Sequence, residues 1–496
     1  MAIAATVWGL VVAGHYWRAG LTLSHYDARG HLIVARRIID SLTPGWQQIG
    51  AVWLPLPHVL NALPVQYDVA YRTGASAVLL SVVASAVATT ALAALVRRVT
   101  GTWSAAAAAA AVFACNPNVA YLQATPMTEP LLLGLTVAGV ALLATWLEAP
   151  DAAWGETSHA QRAAASGATF ALACLTRYEA WPVTATAVGL AAVTLWRRRR
   201  SVAEIWRRLL PVAWPPVAAA LGFSVFSRVV IGDWFASGFF VPENPAEGHP
   251  VQALWQIGWG MDSLGGRTLL MASAAGAVVV LGRWWRARGR SVSVLPLALF
   301  ATAAVPWSAF TDGHPYRIRY MVPLIAAQAA CAAALVSLPR QVWLRWTLAA
   351  GLVLAVLWQV PPLSPTAPMV LEAQWDRPND APRSAITAYL TAHYAGDTIM
   401  ASMGSLGHYM QQLGAHGFPL STFLHEGNGD TWLNALDDPR PFAGWVLVEE
   451  KAEGGDMLAT LARRRPAFLQ GYRRVAEGAG LALYARDPVP TTATAR

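Results

Sequence analysis

The chain has 496 residues, 55% of them hydrophobic and only 13% charged, with a net charge of +8. An average soluble domain is about 45–50% apolar and about 25% charged. This excludes an ordinary cytosolic enzyme, a disordered protein and a disulfide scaffold, and leaves a polytopic α-helical membrane protein.

Apolar runs predict eleven spans: 1–20, 74–96, 103–122, 128–147, 162–176, 180–196, 209–229, 268–285, 291–309, 319–338 and 343–361. The first run lacks a signal-peptidase pattern and is expected to stay as a signal-anchor helix. The fifth is short and could be re-entrant. Treating 162–176 and 180–196 as two spans puts Arg97/Arg98, Arg197 to Arg200, Arg283/Arg286/Arg288/Arg290 and Arg340/Arg345 all on the cytoplasmic side. The N-terminus is then cytoplasmic and the C-terminus extracytoplasmic, as in a multi-pass plasma (inner) membrane protein. The Arg clusters read as topology signals, so no nucleic-acid partner is expected. Cys115, Cys174 and Cys331 lie inside apolar runs, without disulfide or metal spacing.

In the first outer loop, Ala28, Leu32, Ala35 and Ile39 form an apolar stripe opposite Arg29, Arg36 and Asp40. This predicts a helix over 28–40 lying along the membrane surface. Beyond Pro361-Pro362-Leu363-Ser364-Pro365 the acids become dense: 14 of the 28 lie after residue 369. There the pattern predicts helices at 383–394 and 455–464 and strands at 397–400, 445–449 and 481–485. The expected architecture is a transmembrane domain, 1–365, followed by a small extracytoplasmic α/β domain, 366–490.

Few charges remain in the membrane part, and ten of its 14 acids fall on or beside the outer face. A carboxylate at a membrane boundary is costly without a partner or a task. Asp27 follows the first span and reads either as the N-cap of a helix starting at Ala28 or as a functional acid. Glu129, in Thr125-Pro126-Met127-Thr128-Glu129-Pro130, suits the first turn of a helix capped by Thr125 or Thr128, or a second acid beside Asp27. Thr176-Arg177-Tyr178-Glu179 is either a solvated turn with an internal ion pair or a pair of charges dipping into an outward cavity. Arg317 and Arg319, in Pro315-Tyr316-Arg317-Ile318-Arg319-Tyr320, break the positive-inside trend. They read as snorkelling arginines or as a phosphate clamp. In Trp53-Leu54-Pro55-Leu56-Pro57-His58 the two prolines argue against a regular helix, and a lone His58 is a weak signal. Gly404-x-x-Gly407 is too short a pattern for a phosphate loop.

The order and sidedness of these segments resemble the GT-C glycosyltransferases, polytopic enzymes using lipid-phosphate sugars. Within them the chain looks most like bacterial relatives of protein O-mannosyltransferases and lipid A aminoarabinose transferases. The resemblance covers residues 1–360, and the trailing outer domain fits the same plan. It implies a polyprenyl-phosphate-linked sugar as donor and a protein, glycan or glycolipid acceptor, with the bilayer as medium. No cofactor is required; a divalent metal, Mg or Mn, is an option. Many relatives carry two adjacent acids after the first span. Here Asp27 is followed by Ala28, which weighs against a metal at this position.

On this reading Asp27 is a general base and Arg317 and Arg319 hold the leaving phosphate, with inversion at the sugar. Glu129 and Glu179 orient sugar hydroxyls or help to activate the acceptor; His58 and Tyr316 are further donor contacts, and Arg177 and Tyr178 complete the candidate substrate site. The competing classes are a transporter or flippase of lipid-linked sugars and a non-catalytic scaffold. A transporter explains intramembrane charge equally well, but not its concentration on one face.

Overall fold

The computed structural model describes residues 1–149, 157–235, 243–452 and 455–488. The chain falls into two compact units. One contains Met1–Thr22, Ala51–Pro57 and Ala77–Glu372; the other contains Leu23–Gly50, His58–Ser76 and Ala373–Arg496. The segment between Leu23 and Ser76 thus groups mainly with the C-terminal segment, an exchange that a split at 365/366 does not capture.

Helices in chain order are α1 (Ala2–Arg18), α2 (Tyr26–Arg36), α3 (Leu56–Asn61), α4 (Asp68–Thr73), α5 (Ala75–Thr100), α6 (Trp103–Ala114) and α7 (Pro117–Gln123). They continue as α8 (Glu129–Leu147), α9 (Thr157–Cys174), α10 (Ala180–Arg197), α11 (Val202–Ile231), α12 (Pro250–Arg286), α13 (Ala304–Thr311) and α14 (Leu324–Val336). The last are α15 (Val342–Gln359), α16 (Pro368–Glu372), α17 (Asp380–His393), α18 (Met403–Leu413), α19 (Asp430–Asp437) and α20 (Met457–Arg464).

Helical segments occupy all eleven predicted span positions. Among the described residues, seven are long and apolar enough to cross a membrane, or eight if α6 and α7, bent by 66°, count as one. The bend falls at Asn116-Pro117, where Pro117 opens α7 and the Asn116 side chain caps it through the Asn118 and Val119 amides. In α1, α9 and α10, length or apolarity falls short of that standard, so eleven crossings exceed what those two properties carry by themselves.

Helices α11 and α12 of this unit each interrupt the regular helical hydrogen-bond ladder. Pro215 has no N–H to offer the Pro211 carbonyl one turn earlier. A Cβ on Gly167 of α9 would lie 2.3 Å from that carbonyl oxygen, so glycine permits α9 to seat against it. Helix α12 breaks at Gly266 (φ 78°, ψ 156°). The Leu264 carbonyl accepts from Asn116 Nδ2 (2.8 Å) and Asn118 Nδ2 (3.1 Å), and the Thr268 amide donates to Gln359 Oε1 (2.9 Å). Each side of the break has its orphan backbone group satisfied, as a low-dielectric surround demands.

The second unit holds strands β1 (Ile399–Ala401), β2 (Phe423–Leu424), β3 (Trp445–Glu449), β4 (Tyr472–Gly478) and β5 (Leu481–Arg486), ordered β2-β1-β3-β5-β4. β1 lies parallel to β2 and β3, whereas β5 runs antiparallel to β3 and β4, with Leu447 facing Leu483. One core gathers Met400, Leu424, Trp432, Val446, Leu458 and Phe468.

The helix expected to lie on the membrane surface has another use. Ala28, Leu32, Ile33 and Ala35 of α2 are buried, α2 packs on α18, and an added Cβ on Gly407 would meet Ile33 Cδ1 at 3.6 Å. Only Ile39 of the predicted stripe stays exposed. Asp40 accepts the Leu420 and Ser421 amides at 3.1 and 2.9 Å, and Gln48 donates to the Gly427 carbonyl at 2.8 Å. The apolar stripe is therefore spent on protein packing, and the loop is laced into the α/β fold.

Candidate active site

The first unit builds a carboxylate–guanidinium cluster. Glu129 is the first residue of α8 and is fully buried. Neither threonine caps that helix. Thr125 Oγ1 donates to Leu122 O (2.7 Å), and Thr128 Oγ1 accepts from Arg177 Nη1 (3.0 Å). Arg177 Nη1 lies 3.1 Å from Glu129 Oε1, an ion pair without hydrogen-bond geometry, and Arg319 Nε lies 4.0 Å from the same oxygen. Neither Glu129 oxygen accepts a hydrogen bond among the described residues.

Glu179, by contrast, takes Arg177 from two sides, Nη2 to Oε1 at 2.7 Å and Nε to Oε2 at 3.2 Å. In the turn at 176–179, Thr176 and Glu179 are buried and Arg177 and Tyr178 are half-buried. Burial opposes the charge of Arg177, but Glu129 and Glu179 outweigh it and hold the guanidinium above its ordinary range. Two carboxylates and two guanidiniums make the group neutral overall, the condition under which charges are tolerated away from water.

The neighbouring candidates divide. Tyr178 turns away from the carboxylates: its hydroxyl donates to Ala51 O (3.2 Å), and its ring packs on Trp181 and Phe223. Arg319 is buried and its guanidinium stands over the Tyr320 ring at 5.2 Å. Arg317 is half-buried and starts the helical turn Ile318–Met321, whose first amide donates to Glu372 (2.7 Å). Tyr316 stacks edge-on against Trp259 and near Phe310 instead of joining Glu129.

Asp27 belongs to the second unit. It is not the helix cap. His25 is, its Nδ1 accepting from the Asp27 amide at 3.1 Å, which leaves the Asp27 carboxylate in the first turn. Asp27 is buried, as are His25 and His31. His31 stands four residues on, so the two side chains share one face of α2. His31 Nδ1 is 3.1 Å from Nε2 of His58, which is also buried. His58 sits in α3, a regular helical turn despite Pro55 and Pro57; Pro57 is its second residue, where a missing N–H does no harm. The structure thus adds His25 and His31 to the candidates. His31 was legible only as the i+4 neighbour of Asp27.

Among the described residues, no group of three His, Cys, Asp or Glu side chains is placed to hold a metal ion.

No protein-family description matches the sequence, and no curated protein resembles it closely enough to match. Solved structures do. ArnT from Cupriavidus metallidurans bound to undecaprenyl phosphate superposes with a TM-score of 0.62 at 14% identity, over 100% of both chains. The apo state of the same protein gives 0.59 at 14% identity, covering 98% of each chain. The archaeal oligosaccharyltransferase AglB from Archaeoglobus fulgidus, in complex with an inhibitory peptide and a dolichol-phosphate, gives 0.52 at 11% identity, over 90% of this chain and 69% of that one. Both neighbours are GT-C glycosyltransferases. At such identities the likeness is one of fold.

Proposed function

We propose that the protein is an integral membrane glycosyltransferase that moves a sugar from a polyprenyl-phosphate donor to an acceptor hydroxyl on the extracytoplasmic face. The observation that carries this reading is Glu129: a fully buried carboxylate flanked by two arginines yet accepting no hydrogen bond, in a fold shared over its whole length with a protein bound to undecaprenyl phosphate. A buried carboxylate with unused lone pairs suits sugar or acceptor hydroxyls.

In this mechanism Asp27 takes the acceptor proton. The acceptor oxygen bonds to the anomeric carbon while the bond from that carbon to the phosphate oxygen breaks, and its electron pair leaves with the phosphate. Attack opposite the leaving group inverts the sugar. Arg317 and Arg319 stabilise the charge that grows on the phosphate. Arg177, shared between Glu129 and Glu179, keeps both acids aimed.

Incubating purified protein with a radiolabelled polyprenyl-phosphate sugar tests the proposal. Transfer or slow hydrolysis that Asp27→Asn abolishes in a folded protein supports it. Near-normal turnover in that variant removes Asp27 from the mechanism. The discontinuous helix α12 is a feature that secondary transporters also use. Donor movement across vesicles without any chemical turnover would favour that reading.

A further inference from the structure

The outer half of α12, residues 250–265, carries a groove that the proposed chemistry does not use. Its cavity is about 410 Å³ and is lined by Gln252, Trp255, Gln256, Trp259 and Tyr316. The four helical residues recur at i, i+3, i+4 and i+7, so they occupy one face. The adjoining face, roughly 120° round the helix, carries Ala253, Ile257, Gly260 and Leu264 and is buried. Trp255 and Trp259 are 76% and 60% exposed.

The framework is rigid. Gln256 and Asn244 exchange reciprocal amide hydrogen bonds (2.7 and 3.1 Å), and Asn244 Nδ2 also reaches His314 O (2.9 Å). The Trp307 indole donates to Pro250 O at 3.0 Å. Tyr316 closes one wall, its ring 5.5 Å from that of Trp259.

We infer that this groove binds the pyranose rings of a saccharide at the membrane surface. Residues 267–286, beyond the break at Gly266, already span about 30 Å, the thickness of the hydrocarbon core. The groove-bearing half therefore lies outside the hydrocarbon. A prenyl or acyl chain would cover the Gln252 amide with nothing to bond it, at a cost. A pyranose offers a C–H face to an indole and equatorial hydroxyls to the Gln252 amide on the same helix face. The volume falls in the range of small-ligand pockets, about 300–1,000 Å³. That the saccharide is the acceptor rests on the proposed transfer reaction; binding does not.

Full-length protein in lipid nanodiscs is titrated with maltose, cellobiose and chitobiose, reading saturation transfer to the sugar C–H protons. At least one is expected to bind saturably, and Trp255→Ala or Trp259→Ala to weaken it about tenfold. Undecaprenyl phosphate retention is expected to stay unchanged in both variants. Absence of binding by all three sugars, or binding that survives the double variant, overturns the inference. So does loss of undecaprenyl phosphate in the double variant, which would give the groove to the lipid chain. Sugar binding without any transfer would sink the proposed reaction and leave the groove standing.

Discussion

The two units each bury a carboxylate beside arginine and use it differently. In the second unit, Asp376 Oδ1 accepts from Arg383 Nη2 (3.0 Å) and Asn379 Nδ2 (2.8 Å), while Oδ2 accepts from Arg383 Nη1 (2.7 Å) and faces His408 Nε2 at 3.1 Å. Both oxygens accept hydrogen bonds, three in all. In the first unit, Glu129 is buried more completely and has ion pairs but no hydrogen bond. A saturated carboxylate is a fastener. One with electrostatic support and vacant lone pairs is held ready for a ligand.

Four substitutions can break or sharpen this contrast. The largest expected effect is on chemistry: Asp27→Asn should lower turnover by about 10³-fold with melting unchanged, because the base is lost while His25 still caps α2. Glu129→Gln should cost about 10²-fold in turnover and little stability, since Arg177 keeps Glu179. A large loss of stability would instead make Glu129 a fastener like Asp376. Asp376→Ala should do the reverse, destabilising the fold by about 3 kcal/mol in denaturant titrations because Arg383 is left buried and unpaired. Burial works against the charge of Asp376, but His408 and Arg383 hold its carboxyl well below the usual range. Its contribution is present above about pH 4 and is lost as pH falls toward that lowered value, so the variant should flatten acid unfolding.

The smallest effect has the opposite sign. Burial pushes the Asp456 carboxyl up to about 6. The folded state holds this proton more tightly than the unfolded chain, so stability present below about pH 4 is lost as pH rises through about 6. Asp456→Asn, which retains the cap on the Ala459 amide, should remove that slope from a pH series of melting curves.

Much of this architecture was legible from apolar periodicity. The run at 445–449 matches β3, and 268–285 begins just past the break at Gly266. The N-terminal half of α12 falls outside the predicted spans because its exposed glutamines and tryptophans dilute the apolar signal; Ala253, Ile257, Gly260 and Leu264 carry the helical period beside them. Helix α18 hid behind Gly404 and Gly407, which suggest a turn, and Glu426 occupies its N-terminal amide end at Met403. The amphipathic stripe of α2 was visible, but a stripe does not say whether lipid or protein will cover it. The acids and arginines of the site were recognisable as residue types out of place. That one carboxylate is saturated and another is not depends on contacts between residues far apart in the chain, such as Glu129 with Arg177.

The interruption at Gly266 has a consequence for how such a chain can vary. Its two loose ends are tied by side chains from positions 116, 118 and 359, and Asn118 also accepts the Met369 amide at 2.9 Å. A descendant that restores a continuous helix has no use for these amides, and one that loses an amide exposes a raw backbone end. Asn116, Asn118, Gly266 and Gln359 should therefore be inherited as a set, kept together or exchanged together, even where the residues around them drift.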